Sequence, residues 1–161
     1  MKAITIQSTK GKALFTHACE NNTIKLTVEK AVSEGVRLEG AYLYGTYLAG
    51  AYLEGAYLEG ANLVCSNLEG AYLEGADIGG ARLWGTTGDQ TYIKNIKTPT
   101  YKVCYTSDRL QIGCKNCSFK EWLSFSDQEI GAMDSEALSF WKENKAYIFD
   151  AIEANPAKPT K

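Results

Sequence analysis

The chain has 161 residues and a mass of 17.7 kDa, with 45% hydrophobic and 22% charged residues, which excludes two full-size domains and an intrinsically disordered chain. Its 19 acids against 17 bases argue against a surface built for nucleic-acid phosphates, and no apolar run approaches the ~18–20 residues of a membrane span. The N-terminus does not read as a signal peptide, and five unevenly spaced cysteines suit a reducing compartment, so a cytoplasmic location is expected.

Residues 1–34 read as an N-terminal cap. Ala3–Ile6 and Lys12–Phe15 have strand character and join around Lys10-Gly11. Asn22 or Thr23 can cap a short helix through Thr27–Val32, closed by Gly35. His17, the one histidine, has no acid or nucleophile near it in sequence and reads as a packing or surface residue. Five lysines against Glu20, Glu29 and the flanking Glu34 make the cap positive.

Residues 35–86 are set apart by glycine. Eleven of the 15 glycines lie between Gly35 and Gly85, where contiguous five-residue blocks cover residues 36–85. The middle of each block is Leu, or Ile at Ile78; the first position is small; the fifth is Gly except at Cys65. A period of five is neither the 3.6 of a helix nor the 2 of a strand. It fits a solenoid in which the central Leu and the small first residue point inward and Gly turns each corner.

Asn62-Leu63, Asn67-Leu68 and Asp77-Ile78 make this region resemble the pentapeptide-repeat family, with its A-(D/N)-L-x-x consensus. Elsewhere the second position departs from that pattern, as Tyr42, Tyr47, Tyr52, Tyr57 and Tyr72, and as Arg37 and Arg82. The resemblance implies a right-handed quadrilateral β-helix with four blocks, or 20 residues, per coil. The fold class expected is therefore mainly β: a short β-helix between an N-terminal hairpin/helix cap and a C-terminal α+β module.

Ten blocks make two and a half coils, about 12 Å of stack at the usual strand spacing. Residues twenty apart should then share a face. The fourth positions stack Glu54 over Glu74; Glu39, Glu59 and Gly79; Tyr44, Val64 and Trp84; and Ala49 with Glu69. With Glu34 the repeat holds seven acids against Arg37 and Arg82, so a cationic partner would relieve repulsion along it. Tyr44, Val64 and Trp84 form a candidate apolar stripe, covered by the chain's own termini or docked by another chain. Some members of the resembled family mimic DNA and inhibit type II topoisomerases, but DNA carries a charge every ~1.7 Å and this coil is too short a rod.

Residues 87–161 lose the fivefold period. Thr100–Tyr105 and Arg109–Ile112 read as a hairpin turning at Ser107-Asp108, and Ser118 with Glu121 and Ser126 with Glu129 are capping-box pairs. Asp134 or Ser135 can open a helix near 135–153, with Leu138, Trp141, Ile148 and Ile152 on one face; Asn155–Lys161 is expected to be a disordered tail. Ile112-Gly113-Cys114, Glu121-Trp122, Met133-Asp134-Ser135, Ala137-Leu138 and Trp141 resemble a small C-terminal module of bacteriophage proteins of unknown function, which implies a phage origin.

Cys114 and Cys117 are the one pair with metal-ligand or redox spacing. A zinc site needs two further ligands, which only Cys19, Cys65, Cys104 or His17 could supply, and structural cysteines are the reading adopted. No catalytic triad, phosphate loop or paired catalytic carboxylates occur. No cofactor is expected. The expected function is a non-enzymatic accessory protein, phage-encoded, that binds a host protein and modulates or inhibits it, counter-defence being one such role. The alternatives are a homo-oligomeric scaffold, or a protein sequestering a small molecule such as a nucleotide between coil and C-terminal module.

Overall fold

The computed structural model describes the whole chain, Met1–Lys161. Strands β1 (Lys2–Gln7) and β2 (Ala13–Cys19) pair antiparallel. Helix α1 (Ile24–Ser33) follows, and of its two cap candidates Thr23 is the cap: its hydroxyl accepts the Leu26 N–H at 3.1 Å. Asn22 is buried instead. Its amide donates to His17 O and its carbonyl accepts the Thr27 hydroxyl, tying the hairpin to the helix.

Residues 36–87 form stacked turns of twenty residues. Parallel bridges join Arg37 to Tyr57, Tyr42 to Asn62, Tyr52 to Tyr72 and, at the far end, Asn67 to Thr87. Within a block the central N–H donates to a carbonyl one turn on, as Leu43 N–H to Asn62 O at 2.9 Å, and the glycine N–H does the same. Each corner closes locally. Ala41 N–H donates back to Leu38 O at 3.0 Å with Gly40 third in the turn at φ 63°, a left-handed value that glycine reaches without a Cβ penalty. Leu38 through Leu73 are fully buried at the block centres, with the alanines of the first positions packed beside them.

The expectation of a mainly β chain is corrected. A five-residue block leaves room for one bridge before its corner, so the repeat contributes single bridges and no extended strand. The strands proper lie in two small sheets and are matched in extent by four helices.

After the repeat, Asp89 accepts the N–H groups of Tyr92 and Ile93. The chain closes tightly here, since a Cβ on Gly88 would stand 2.0 Å from Ile93 O. A four-stranded antiparallel meander follows: β3 (Lys94–Ile96), β4 (Val103–Tyr105), β5 (Arg109–Ile112) and β6 (Lys115–Ser118). The expected hairpin is its central pair; β3 and β6 were not foreseen. Helices α2 (Phe119–Ser124) and α3 (Asp127–Gly131) both begin with the capping boxes expected from Ser118/Glu121 and Ser126/Glu129. Helix α4 (Ala137–Ala154) has Glu136 at its N-cap position, without a side-chain cap bond, in place of Asp134 or Ser135.

Strand β4 is buried along its whole length because it lies between two cores. Cys104 belongs to the core of the repeat, whereas Val103 and Tyr105 belong to that of the helices, with Trp122, Phe140 and Trp141, as strand alternation requires. The meander seals the last turn with side chains. Gln111 Oε1 accepts the Leu83 N–H at 2.9 Å, Cys104 Sγ donates to Leu83 O, and Asn116 Nδ2 donates to Ala81 O at 3.0 Å.

The tail is also corrected: it is ordered against the repeat. Ala157 is buried, Lys158 N–H donates to Thr91 O at 2.9 Å, and Thr160 O accepts the N–H of Gly75. Lys161 Nζ lies 2.6 Å from an Asp77 oxygen. In the turn before, Gly55 N–H donates to Glu74 O, so the tail supplies the carbonyl that a further turn would have given. No helix is long and apolar enough to cross a membrane.

Cys65 holds a glycine corner at φ 57°, a conformation costing a Cβ-bearing residue roughly 1–2 kcal/mol. Cys65→Gly should therefore raise unfolding free energy by about 1 kcal/mol after the greater backbone entropy of glycine is deducted, measured as a shift in urea midpoint.

Candidate functional site

The outer surface of the repeat is set by its second and fourth positions. Where the second residue is Asn or Asp, its side chain accepts the N–H of the fourth: Asn62 from Val64, Asn67 from Glu69 at 2.9 Å, and Asp77 from Gly79 at 3.1 Å. Tyrosine cannot make that short loop and projects into solvent. Tyr42, Tyr47, Tyr52, Tyr57 and Tyr72 are all exposed. Tyr52 and Tyr72, one turn apart, stack with centroids 5.2 Å apart and planes at 10°. Sequence reasoning noted these residues as departures from the family pattern and gave them no role.

Of the sequence-predicted residues, Glu54, Glu74 and Glu59 are exposed, and Glu54 and Glu74 share the face of Tyr52 and Tyr72. Glu39 is only half-buried and paired with Arg37 Nε at 2.6 Å; Arg37 in turn lies over the Tyr57 ring. Tyr44 and Trp84 are exposed but Val64 is 3% exposed, so the three do not make a continuous stripe. The tail covers Gly75 and Asp77 and leaves Tyr44 and Trp84 open.

Acids near the edges of the repeat have partners: Glu29 with Lys25, Glu34 with Lys30, Glu39 with Arg37, and Asp77 with Lys161. The Lys161 hydrogen bond, then the Gly79 N–H, hold the Asp77 carboxyl below its ordinary value. Glu54, Glu59, Glu69 and Glu74 have no cation within ion-pair distance. Within the repeat, these four unpaired carboxylates lie among the exposed tyrosines.

Cys114 and Cys117 fall on the β5–β6 hairpin, Cys114 exposed beside Gly113 and Cys117 half-buried in β6. No third Cys, His, Asp or Glu joins them in a group that could hold a metal ion. Burial first, then Glu121, raises the Cys117 thiol pKa, opposite to what a redox pair needs. Burial pushes Cys104 up to about 12. His17 stacks against Phe15 in the N-terminal sheet.

In the C-terminal module, Tyr101 donates its hydroxyl to Asp134, which also accepts the Glu136 N–H at 2.9 Å. Burial first, then this carboxylate, pushes Tyr101 up to about 12.

Twenty-residue turns, inward leucines and left-handed glycine corners define a repeat protein built from five-residue units. A family model described as pentapeptide repeats matches residues 34–64 and 51–87, with 8 copies, so this segment of the chain is a pentapeptide repeat. The match ends at 87 and does not include the C-terminal module. No curated protein and no solved structure matches the chain.

Thiol labelling should modify Cys65 and Cys114 first and Cys104 last, with Cys117 slower than its neighbour; a Cys117 that outpaces Cys114 would revive the redox reading. Ultraviolet titration of tyrosinate should find one tyrosine ionising at about 12, shifted down by Asp134→Asn. Because Tyr101 has a raised folded pKa, its contribution to stability is complete below the ordinary tyrosine value of about 10 and is lost as pH rises through the folded value.

Proposed function

We propose that this protein is a non-enzymatic binding protein, phage-encoded, whose repeat engages a host protein in the bacterial cytoplasm and modulates or inhibits it. In this reading the stacked turns are a right-handed quadrilateral β-helix, and the flanking segments close its two ends. The observation that carries the reading is the outer face of Tyr52, Tyr72, Glu54 and Glu74: stacked exposed rings beside carboxylates with no cation of their own. Aromatic rings and unpaired carboxylates complement a surface rich in Arg and Lys, through cation–π contacts and charge-assisted hydrogen bonds. The resemblance of residues 112–141 to phage modules supports the origin, and the absence of a nucleophile–base pair in the sequence supports a binding role.

Affinity capture from bacterial lysate at several salt concentrations, with mass spectrometry, tests this. The wild-type chain should retain one specific basic partner, in a salt-sensitive way. The double variant Glu54→Lys/Glu74→Lys should lose it while unfolding normally, because both positions are exposed. No specific partner at any salt concentration, or equal capture by the variant, overturns the proposal.

A further inference from the structure

All three tryptophans of the chain, Trp84, Trp122 and Trp141, line one cleft. It lies between the last turn of the repeat, which supplies Trp84, and the C-terminal module. Its volume is about 490 Å³, within the range of small-molecule sites. Tyr101 and Met133 add to the wall. Gly113 is needed there because a Cβ would come within 3.3 Å of the Tyr101 ring at a φ of 54°.

Three charged side chains also line the cleft, and all three are exposed: Lys102, Lys115 and Asp134. Neither lysine takes part in an ion pair. Asp134 is held by Tyr101 and the Glu136 N–H through one oxygen. A further polar group is unmatched. Trp122 donates its indole N–H to Leu110 O at 2.7 Å. Trp141, only 5% exposed, has no acceptor for its N–H within the protein, and that nitrogen is not sealed from solvent.

These features select a chemistry. A purely apolar ligand would leave two lysines and an indole donor unused, and an inorganic anion would leave the aromatic walls unused. A planar aromatic group carrying a negative charge uses all of them. We propose that the cleft binds a nucleoside monophosphate. The base stacks on the half-exposed indole of Trp84, the phosphate pairs with Lys102 and Lys115, and the Trp141 N–H donates to an acceptor on the base. The site is independent of the Tyr52/Tyr72 face, since Trp84 stands two blocks away in a four-block turn, on the opposite side of the repeat.

The full-length protein should be titrated with AMP, GMP, CMP and UMP, with the matching nucleosides and with inorganic phosphate, by tryptophan emission and calorimetry. At least one nucleotide should give a saturable response, with its nucleoside and phosphate alone each about tenfold weaker or worse. Trp84→Ala should weaken binding about tenfold by removing the stacking platform. Lys102→Ala/Lys115→Ala should weaken the nucleotide and leave the nucleoside unchanged. Because Trp84 and both lysines are exposed, the thermal midpoint of each variant should match wild type, and Trp141→Phe, which removes the unmatched N–H with the packing retained, should weaken nucleotide and nucleoside alike. No saturable response to any of the four nucleotides up to about 1 mM, or a nucleoside that binds as well as its nucleotide, overturns the proposal. Retained binding at normal stability while host-protein capture fails would remove the previous reading and leave this one standing.

Discussion

Each turn of the repeat hydrogen-bonds to the turns above and below it, and a stack of two and a half turns soon runs out of neighbours. Most of its turns are therefore end turns, and each presents backbone groups whose natural partners do not exist. The rest of the chain is arranged around this constraint. At the first turn, Gln7 O accepts the Tyr42 N–H, Gly40 O accepts the Thr9 N–H, and a Glu29 carboxylate accepts the Tyr52 N–H. At the last turn, Gln111, Asn116 and Cys104 act as side-chain substitutes for a missing coil, and Thr160 supplies one missing carbonyl directly. Each lone pair or proton left unmatched in a buried end would cost about 1–3 kcal/mol, so the flanks are as necessary to the fold as the leucines.

That constraint also explains which parts were legible in the sequence. The register of the repeat could be read from Leu38 to Leu83 because one side-chain type recurs at one spacing and every copy meets the same environment. The two capping boxes were legible for a related reason: Ser118 with Glu121, and Ser126 with Glu129, satisfy each other within four residues. Strand β6 was not. Lys115-Asn116-Cys117-Ser118 has no apolar alternation, and its Asn116 is used for hydrogen bonds to Arg109 and to Ala81 O across the module boundary. The tail was hidden for the same reason. Its partners Gly75 and Asp77 lie some eighty residues earlier in the chain, and a polar Pro-containing segment looks disordered until an unfilled edge is available to receive it.

The candidate surfaces were only partly legible. Fourth-position glutamates face outward as the period implies, but counting charges along the chain could not show which are neutralised. Arg37 pairs with Glu39 two residues on within its own block, but Lys161 reaches Asp77 only because the fold brings it there. Val64 sits at a position equivalent to Tyr44 and Trp84 yet is buried; a periodic pattern assigns a direction to a side chain and not its cover. The aromatic cleft is further from reach, since Trp84 and Trp141 are brought together by the docking of two segments with unrelated patterns.

The division of labour within each block bears on what the outer surface is for. Positions one, three and five are fixed by volume and backbone geometry, so folding dictates small, Leu and Gly there. Positions two and four are much less constrained, and at position two folding favours Asn or Asp, whose side-chain oxygen accepts the fourth N–H. Five blocks give up that local bond for a tyrosine that is left largely in water, and on one face they do so beside glutamates stacked directly over one another, where like charges repel. Ring stacking of Tyr52 on Tyr72 returns part of the loss. Stability alone gives no reason for exposed rings beside unpaired carboxylates, and that surplus is the ground on which association of this face with a cationic surface is proposed.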